Sequence, residues 1–368
     1  MDKIDTINKT AGCLMGGAAG DALGYPIEFY SYDGIFSKFG TNGIQEYVLD
    51  KKSNKALISD DTQMTIFTVN GLISCAISES CYGDLKKNVW VDFVAKSYRA
   101  WLDTQNSYYK YRKDIHSDMG YPLWVYDEET LWHDRAPGNT CLESLRKKEL
   151  GTLEKRINDS KGCGGVMRVA PVGIVSAIRK KPEEFTFDVA SRIAALTHGH
   201  IDGWAPAGMF ALIINKLFRT KDNIYKVIKD SIDFTEKYIK EFSDNKNSLL
   251  ISKSILAYNL ALNTELTNDV NNIKKIGAGW TGEEALAIAI YCCLKYPSDF
   301  EKVIQTAVNH SGDSDSTGAI AGNIAGALLG YEAIPKKFIN SLDAKDIIIT
   351  LAEDININMK AYRSRYDI

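Results

Sequence analysis

Carboxylates and hydroxyls gather at three places in this chain. They are GDALGYPIEF, with Asp21 and Glu28; ISDDTQM, with Ser59, Asp60, Asp61 and Thr62; and SGDSDSTG, with Asp313, Asp315, Ser316 and Thr317. Oxygen-only donor sets of this kind suit hard divalent cations such as Mg2+ or Mn2+, which keep part of their hydration. One aspartate pair holds one ion poorly. Two pairs from opposite ends of a chain, each flanked by a serine hydroxyl, can hold two ions about 3.5–4 Å apart. Four acids meeting with no cation would repel strongly. Each cluster also has a plain structural reading. A serine followed by two acids suits a helix N-terminus, where the hydroxyl caps free N–H groups and negative charge complements the dipole. The turn at Asp313 reads the same way.

Two sharper readings of DSDST fail on the residues themselves. An EF-hand loop beginning at Asp313 would need an acidic ligand at its twelfth position, where Ile324 stands. A haloacid dehalogenase DxDxT nucleophile loop would follow an N-terminal strand and precede further motifs, but only about fifty residues remain here. A separate candidate is KGCGGVMR, in which Gly162, Gly164 and Gly165 surround Cys163. Such a loop exposes backbone N–H groups able to wrap a pyrophosphate in a protein with no basic surplus. A plain turn is the alternative. His198 and His200, in THGHIDG, lack the further His or Cys partners that zinc requires.

The elements that must position these groups read as helices. Residues 62–77 place Met64, Phe67, Leu72, Cys75 and Ala76 at helical spacings, and residues 223–241 and 283–295 behave alike. The best strand-like run is IQEYVL at 44–49. Gly12, Gly16, Gly20 and Gly24 recur every fourth residue, and Gly318, Gly322, Gly326 and Gly330 repeat the pattern. On helices each set makes a smooth face that admits a close neighbour. Helical glycine costs about 1 kcal/mol against alanine, which tight packing must offset. The aromatic and polar stretch 103–140, with Pro122, Pro137 and Gly138, reads as a long loop region. No Pro/Gly/Ser linker divides the chain. The expectation is an all-α, single-domain, multi-helix protein over residues 1–368.

Composition agrees with that expectation. A chain of 368 residues with 45% hydrophobic and 25% charged residues is globular in profile, and a net charge of −3 offers nothing to nucleic acid. MDKIDTINKT carries two acids and no apolar core, so it does not read as a signal peptide. The charge-free run 316–331 has 16 residues and contains Asn323, short of the ~20 apolar residues of a membrane span. Seven cysteines, without a CxxC pair, read as reduced thiols of a cytoplasmic protein.

Six ordered segments carry a resemblance: GCLMGGAAGDALGYPIEF, ISDDTQM, GCGGVMRVAPVG, LTHGHIDGWAPAG, GWTGEEALAIAIYC and HSGDSDSTGAIAGNIAGALLG. Together they resemble the ADP-ribosylglycohydrolases, which include dinitrogenase reductase-activating glycohydrolase and the ADP-ribosyl-arginine and ADP-ribosyl-serine hydrolases. The resemblance implies an all-α fold and a binuclear Mg2+ centre, with Mn2+ as a substitute. Its ligands would fall on Ser59, Asp60, Asp61, Asp313, Asp315 and Ser316, with Glu28 as a nearby carboxylate. It places the ADP-ribose diphosphate on the loop of Gly162, Cys163, Gly164, Gly165, Val166 and Met167, and His198 beside the ribose-phosphate. Gly138 and Asn139, in RAPGNT, would be further contacts; His200 is structural, and Trp280 borders the adenine or packs locally.

The implied reaction is hydrolysis of the bond between ribose C1″ and a protein side chain. The ions would fix the ribose hydroxyls and acidify water, with Glu28, Asp60 and Asp61 as the catalytic acids and Asp61 or Glu28 as the base. RAPG, and the serine after the second aspartate of DSDSTG, point to ADP-ribosyl-arginine; ADP-ribosyl-serine, poly-ADP-ribose and free ADP-ribosyl metabolites are sibling substrates. The implied partners are an ADP-ribosylated protein and ADP-ribose as product, with no nucleic acid and no membrane. A different class of function is an immunity factor that occludes an ADP-ribosylating toxin. The aromatic segment 103–126 would then be a contact surface, or otherwise a lid.

Overall fold

Long stretches of small and apolar residues leave several helices with no polar face, and such helices must lie inside. The computed structural model, which describes residues 3–114, 124–242 and 248–367, puts five of them at its centre. They are α1 (Lys3–Gly24), α2 (Asp60–Tyr82), α3 (Ile201–Arg219), α4 (Gly282–Lys295) and α5 (Ser314–Leu329). α2 is buried at every residue from Asp60 to Ile77. By length and composition alone α2 could cross a membrane, but 83% of its apolar window is buried inside the protein. One continuous apolar core runs from Cys13 to Tyr362, so the described residues form a single domain.

The glycine stripes set the tightest contact. α1 and α5 run antiparallel, with Gly12 against Gly326, Gly16 against Gly322 and Gly20 against Gly318. A Cβ at any of these positions would strike the partner's backbone; at Gly12 it would lie 2.6 Å from the carbonyl carbon of Gly330. Backbone cannot rotate aside as a side chain can, so close approach demands glycine here. Asn323 adds a polar tie, its Nδ2 donating to the Cys13 carbonyl at 2.7 Å. α5 also packs on α4 and touches α2 and α3.

Amphipathic helices cover this interior. Ile224–Phe242 buries Val227, Ile228, Ile232 and Ile239 and turns Lys226 and Asp230 outward, 2.8 Å apart one turn along.

Two expectations change. Residues 44–49 form no strand, and the described residues hold none, only isolated bridges. The neighbours of this segment are helices with no free ladder to offer. Its polar groups pair sideways instead: Ile44 N–H donates to Asn309 Oδ1 at 2.8 Å, and the Tyr47 hydroxyl donates to the Phe338 carbonyl at 2.8 Å.

The region 103–140 begins inside the helix Lys87–Asn106 and continues through 3-10 turns at Tyr109–Asp114, Trp124–Asp127 and Glu129–Leu131. Indole donors pin it, Trp132 Nε1 to the Tyr126 carbonyl at 2.8 Å and Trp124 Nε1 to Asp354 Oδ2 at 3.0 Å. Residues 115–123, including Pro122 and part of the aromatic segment 103–126, lie outside the described residues.

Candidate functional site

The N-termini of α2 and α5 meet beside the C-terminal turn of α1. Ser59 caps α2, its Oγ accepting from Asp61 N–H at 3.2 Å, and Asp313 caps α5, its Oδ1 accepting from Ser316 N–H at 3.2 Å. Capping and clustering are therefore the same arrangement, since the caps are what aim Asp60, Asp61 and Asp315 into one space. Asp21 holds the joint. Its carboxylate accepts from Ser59 N–H at 3.0 Å, from Thr62 N–H at 3.1 Å and from the Thr62 hydroxyl. Burial pushes the Asp21 carboxyl up to about 6 despite these bonds. The sequence reading grouped Asp21 with the acids and gave it no task. The available signal was its place one residue after Gly20, on the helix that must lie closest to α5.

Glu28 is carried into the cluster by the 3-10 turn Tyr25–Ile27, which directly follows α1. Oxygens of Glu28, Asp313 and Asp315 all lie within 4.8 Å of one another. Burial first, and then the charges of neighbouring acids, hold Asp60, Asp61 and Asp315 well above the usual carboxylate range. Burial, Asp313 and Asp21 push Glu28 up to about 8. Asp61 Oδ2 is buried and has no hydrogen-bond partner among the described residues. Asp60 Oδ2 accepts only the Gly138 N–H, at 3.4 Å. The nearby guanidinium of Arg135 gives its Nη2 to Asp343 at 3.0 Å, and its Nη1 is buried without a partner among the described residues. Packed anions with so few donors fit one kind of occupant well, an oxygen-liganded divalent cation.

The facing wall is the glycine loop. Cys163–Gly165 form a 3-10 turn tied to the start of α4 by Cys163 N–H to the Trp280 carbonyl, 3.2 Å, and Gly282 N–H to the Lys161 carbonyl, 2.8 Å. A Cβ on Gly165 would sit 2.6 Å from the Gly203 carbonyl oxygen, and one on Gly164 would sit 3.1 Å from His198 Cε1. The loop is thus pressed onto His198. Burial and the charge of Arg168 lower the His198 imidazole to about 3, so it is neutral. Its Nδ1 pairs with Thr197 Oγ1 at 2.8 Å, and Arg168 Nη2 donates to the same hydroxyl at 2.6 Å.

Arg168 was missed as a functional candidate. It is fully buried, with its guanidinium 4.4 Å from the Tyr98 ring centroid, and it was legible only as the one basic residue in GGVMRVAP.

Other sequence candidates fall into place around these walls. Gly138 and Asn139 begin the helix Asn139–Leu145 beside Asp60. Val166 and Met167 are buried beneath the loop, with Met167 Sδ 3.9 Å from Ser316 Oγ. The Cys163 thiol is turned to the acidic wall, donating to Asp313 Oδ2 at 2.7 Å. His200 caps α3, its Nδ1 accepting from Asp202 N–H at 3.0 Å. Trp280 stands at the rim, stacked on Phe29 with centroids 5.7 Å apart.

A family model described as ADP-ribosylglycohydrolase matches residues 2–365. The chain belongs to the ADP-ribosylglycohydrolase family. It is 24% identical to ADP-ribosylarginine hydrolase Tri1 of Serratia proteamaculans, over 95% of this chain and 80% of that one. It is also 24% identical to ADP-ribosylhydrolase ARH3 of Mus musculus, over 95% of this chain and 92% of that one. Among solved structures, an ADP-ribosylglycohydrolase-related protein complex matches with a TM-score of 0.58 and 19% identity, covering 96% of this chain and 98% of that chain. That likeness is one of fold. Family membership makes this ADP-ribosylglycohydrolase a hydrolase that reverses ADP-ribosylation, and the acidic joint with its glycine wall is its candidate active site.

Proposed function

We propose that the protein is a Mg2+-dependent ADP-ribosylarginine hydrolase, releasing ADP-ribose from modified arginine in a protein. The observation that carries this reading is the convergence of Glu28, Asp313 and Asp315 within 4.8 Å, beside Asp60 and an unpartnered Asp61 oxygen. Ser59, Asp60, Asp61, Asp313, Asp315 and Ser316 would hold the ions. When bound, Mg2+ or Mn2+ would supply Lewis acidity, fixing the ribose hydroxyls and acidifying the attacking water.

The remaining work falls to the chain's own groups. Breaking the bond at ribose C1″ builds positive charge on the sugar, and the carboxylate wall is preorganised to face it. In its ionised form, Glu28 is the group that accepts the water's proton. It is the one acid of the cluster that is only partly buried, and it lies outside the two capped helix starts. Across the site the Cys163 N–H is spent on Trp280, so the amides of Gly164 and Gly165 are the cradle for a diphosphate. Neutral His198 packs behind that cradle, where burial, and then the charge of Arg168, keep it from taking up a proton.

Support for arginine comes from the RAPG turn and from the activity in the name of the Serratia relative. In this turn the Arg135–Asp343 pair sets the backbone that brings Gly138 N–H to Asp60. A hydrolysis panel of arginine-linked, serine-linked, polymeric and free ADP-ribosyl substrates, with and without Mg2+, tests the reading. The expected result is Mg2+-dependent release from arginine. Preference for serine, or equal turnover after chelation, would sink it.

A further inference from the structure

We infer that Cys163 is a sulfur donor to the cation site, giving this chain an affinity for thiophilic divalent ions such as Cd2+ and Zn2+ that an all-oxygen centre would lack. The inference rests on the cation-centre reading above. Cys163 Sγ lies 2.7 Å from Asp313 Oδ2 and 3.5 Å from Ser316 Oγ, against two of the proposed ligands. Independently, Asp61 Oδ2 belongs to a residue only 3% exposed and has no hydrogen-bond partner among the described residues, so a buried oxygen donor stands free at the same joint.

The thiol is held there by backbone. Gly162 bridges Thr281, Cys163 N–H is bonded to Trp280, and Gly165 lies hard against Gly203. The turn fixes the position of the Cys163 Cα beside the carboxylates, and its thiol is turned to them.

Soft thiolate ligands select Zn2+ and its heavier relatives, whereas carboxylates and hydroxyls alone favour Mg2+ and Mn2+. On coordination the S–H bond breaks, an S–metal bond forms and the proton leaves to solvent, with no change in oxidation state. The other cysteines are poorly placed for this. Cys13, Cys75, Cys292 and Cys293 are buried in the core, and Cys141 lies 3.3 Å from the Arg168 guanidinium, which repels cations. Cys81 is exposed near the far end of α2, about 30 Å from Asp60 at the rise of an α-helix.

The test uses the full chain, stripped of metal, as wild type, Cys163→Ser, Cys163→Ala and Cys81→Ser. Mg2+ and Cd2+ are titrated by calorimetry, and the thiolate-to-Cd2+ charge-transfer band is followed in the ultraviolet. Wild type and Cys81→Ser are expected to show the band. Cys163→Ser should lose it and bind Cd2+ about tenfold or more weakly, while Mg2+ affinity moves by less than about threefold. Cys163→Ala should lose the band as well.

A band and Cd2+ affinity unchanged in both Cys163 variants would overturn the sulfur donor while leaving a Mg2+ centre standing. Cys163-dependent Cd2+ binding in a protein that takes no Mg2+ would uphold the donor and remove Mg2+ from the functional reading. Failure of wild type to bind either ion overturns both.

Discussion

At the joint of α1, α2 and α5, six carboxylates (Asp21, Glu28, Asp60, Asp61, Asp313 and Asp315) crowd together with few donors. Across the site, a guanidinium and an imidazole are buried side by side, and the hydrogen bonds of Arg168 go to sulfur, a carbonyl and a hydroxyl instead of a carboxylate. Each wall on its own carries an unfavourable buried charge. The acidic wall leaves that charge for a cation to neutralise. The basic wall spreads its charge over the Tyr98 ring and neutral acceptors. The contrast shows how one interior can hold opposite charges apart: the glycine loop separates them, and neither neutralises the other in advance.

The strongest way to break the contrast is to remove an acid from the joint. Asp315→Ala or Asp60→Ala should lower hydrolysis by at least about a hundredfold and leave the helical circular dichroism intact if, as proposed, these acids act through cations and not through packing. Near-normal turnover by both variants would end the cation reading.

Next in size is the scaffold. Gly322→Leu puts a side chain into the backbone of α1 at Gly16, so the loss of stability should be about 3 kcal/mol or more in chemical denaturation. Mg2+ affinity should fall with it, since α5 begins with Asp313 and Asp315. A variant that melts and binds Mg2+ like wild type would show that the helix pair has slack.

Asp21→Asn tests the hinge between scaffold and site. An amide cannot accept from Ser59 N–H, Thr62 N–H and the Thr62 hydroxyl as a carboxylate does, so the cost should be about 1–3 kcal/mol. Mg2+ affinity should drop as well, because the α2 cap loses its anchor. Lost stability with unchanged Mg2+ binding would confine Asp21 to packing.

The smallest effects are two opposed pH slopes in metal-free protein. Glu28 rises from 4.5 to about 8 on folding, so its contribution is present below pH 4.5 and is lost as pH climbs towards 8. His198 falls from 6.5 to about 3, so its contribution is present above pH 6.5 and is lost as pH drops towards 3. Melting temperatures across pH should show both limbs. Glu28→Gln should make the alkaline limb shallower, Asp60, Asp61 and Asp315 supplying the rest of it, and His198→Asn should flatten the acidic one, while saturating Mg2+ should suppress only the alkaline limb. A Glu28→Gln curve that overlays wild type would mean that this carboxyl is not confined as described.

Much of the site was legible before any coordinates, because helix caps and cation ligands draw on the same residue types. SDDT and SGDSDS announce the caps in their composition, and the same residues are the oxygen donors that the proposed cations would need. The glycine stripes were legible for a similar reason: four-residue spacing is local, and it states that one helix face must be bare. Other features had no local signature. IQEYVL carries the strand formers Ile44, Tyr47 and Val48, yet propensity says nothing about whether a second strand will be there to pair with it. Val166 and Met167 read as part of an exposed loop, while the fold buries both under it.

By itself, then, the sequence determined helicity, the two bare helix faces and the donor atoms available to a cation, all of which follow from residue type and short-range spacing. Only the tertiary structure decided that Gly20 lies on Gly318 and not one turn along, which sets Asp21 under the first turn of α2. It alone decided that Cys163 turns to Asp313 and that Arg168 is buried without a carboxylate. These pairings join residues far apart in the chain. They are chosen by which backbones can approach most closely, a property of whole packed surfaces that no local pattern encodes.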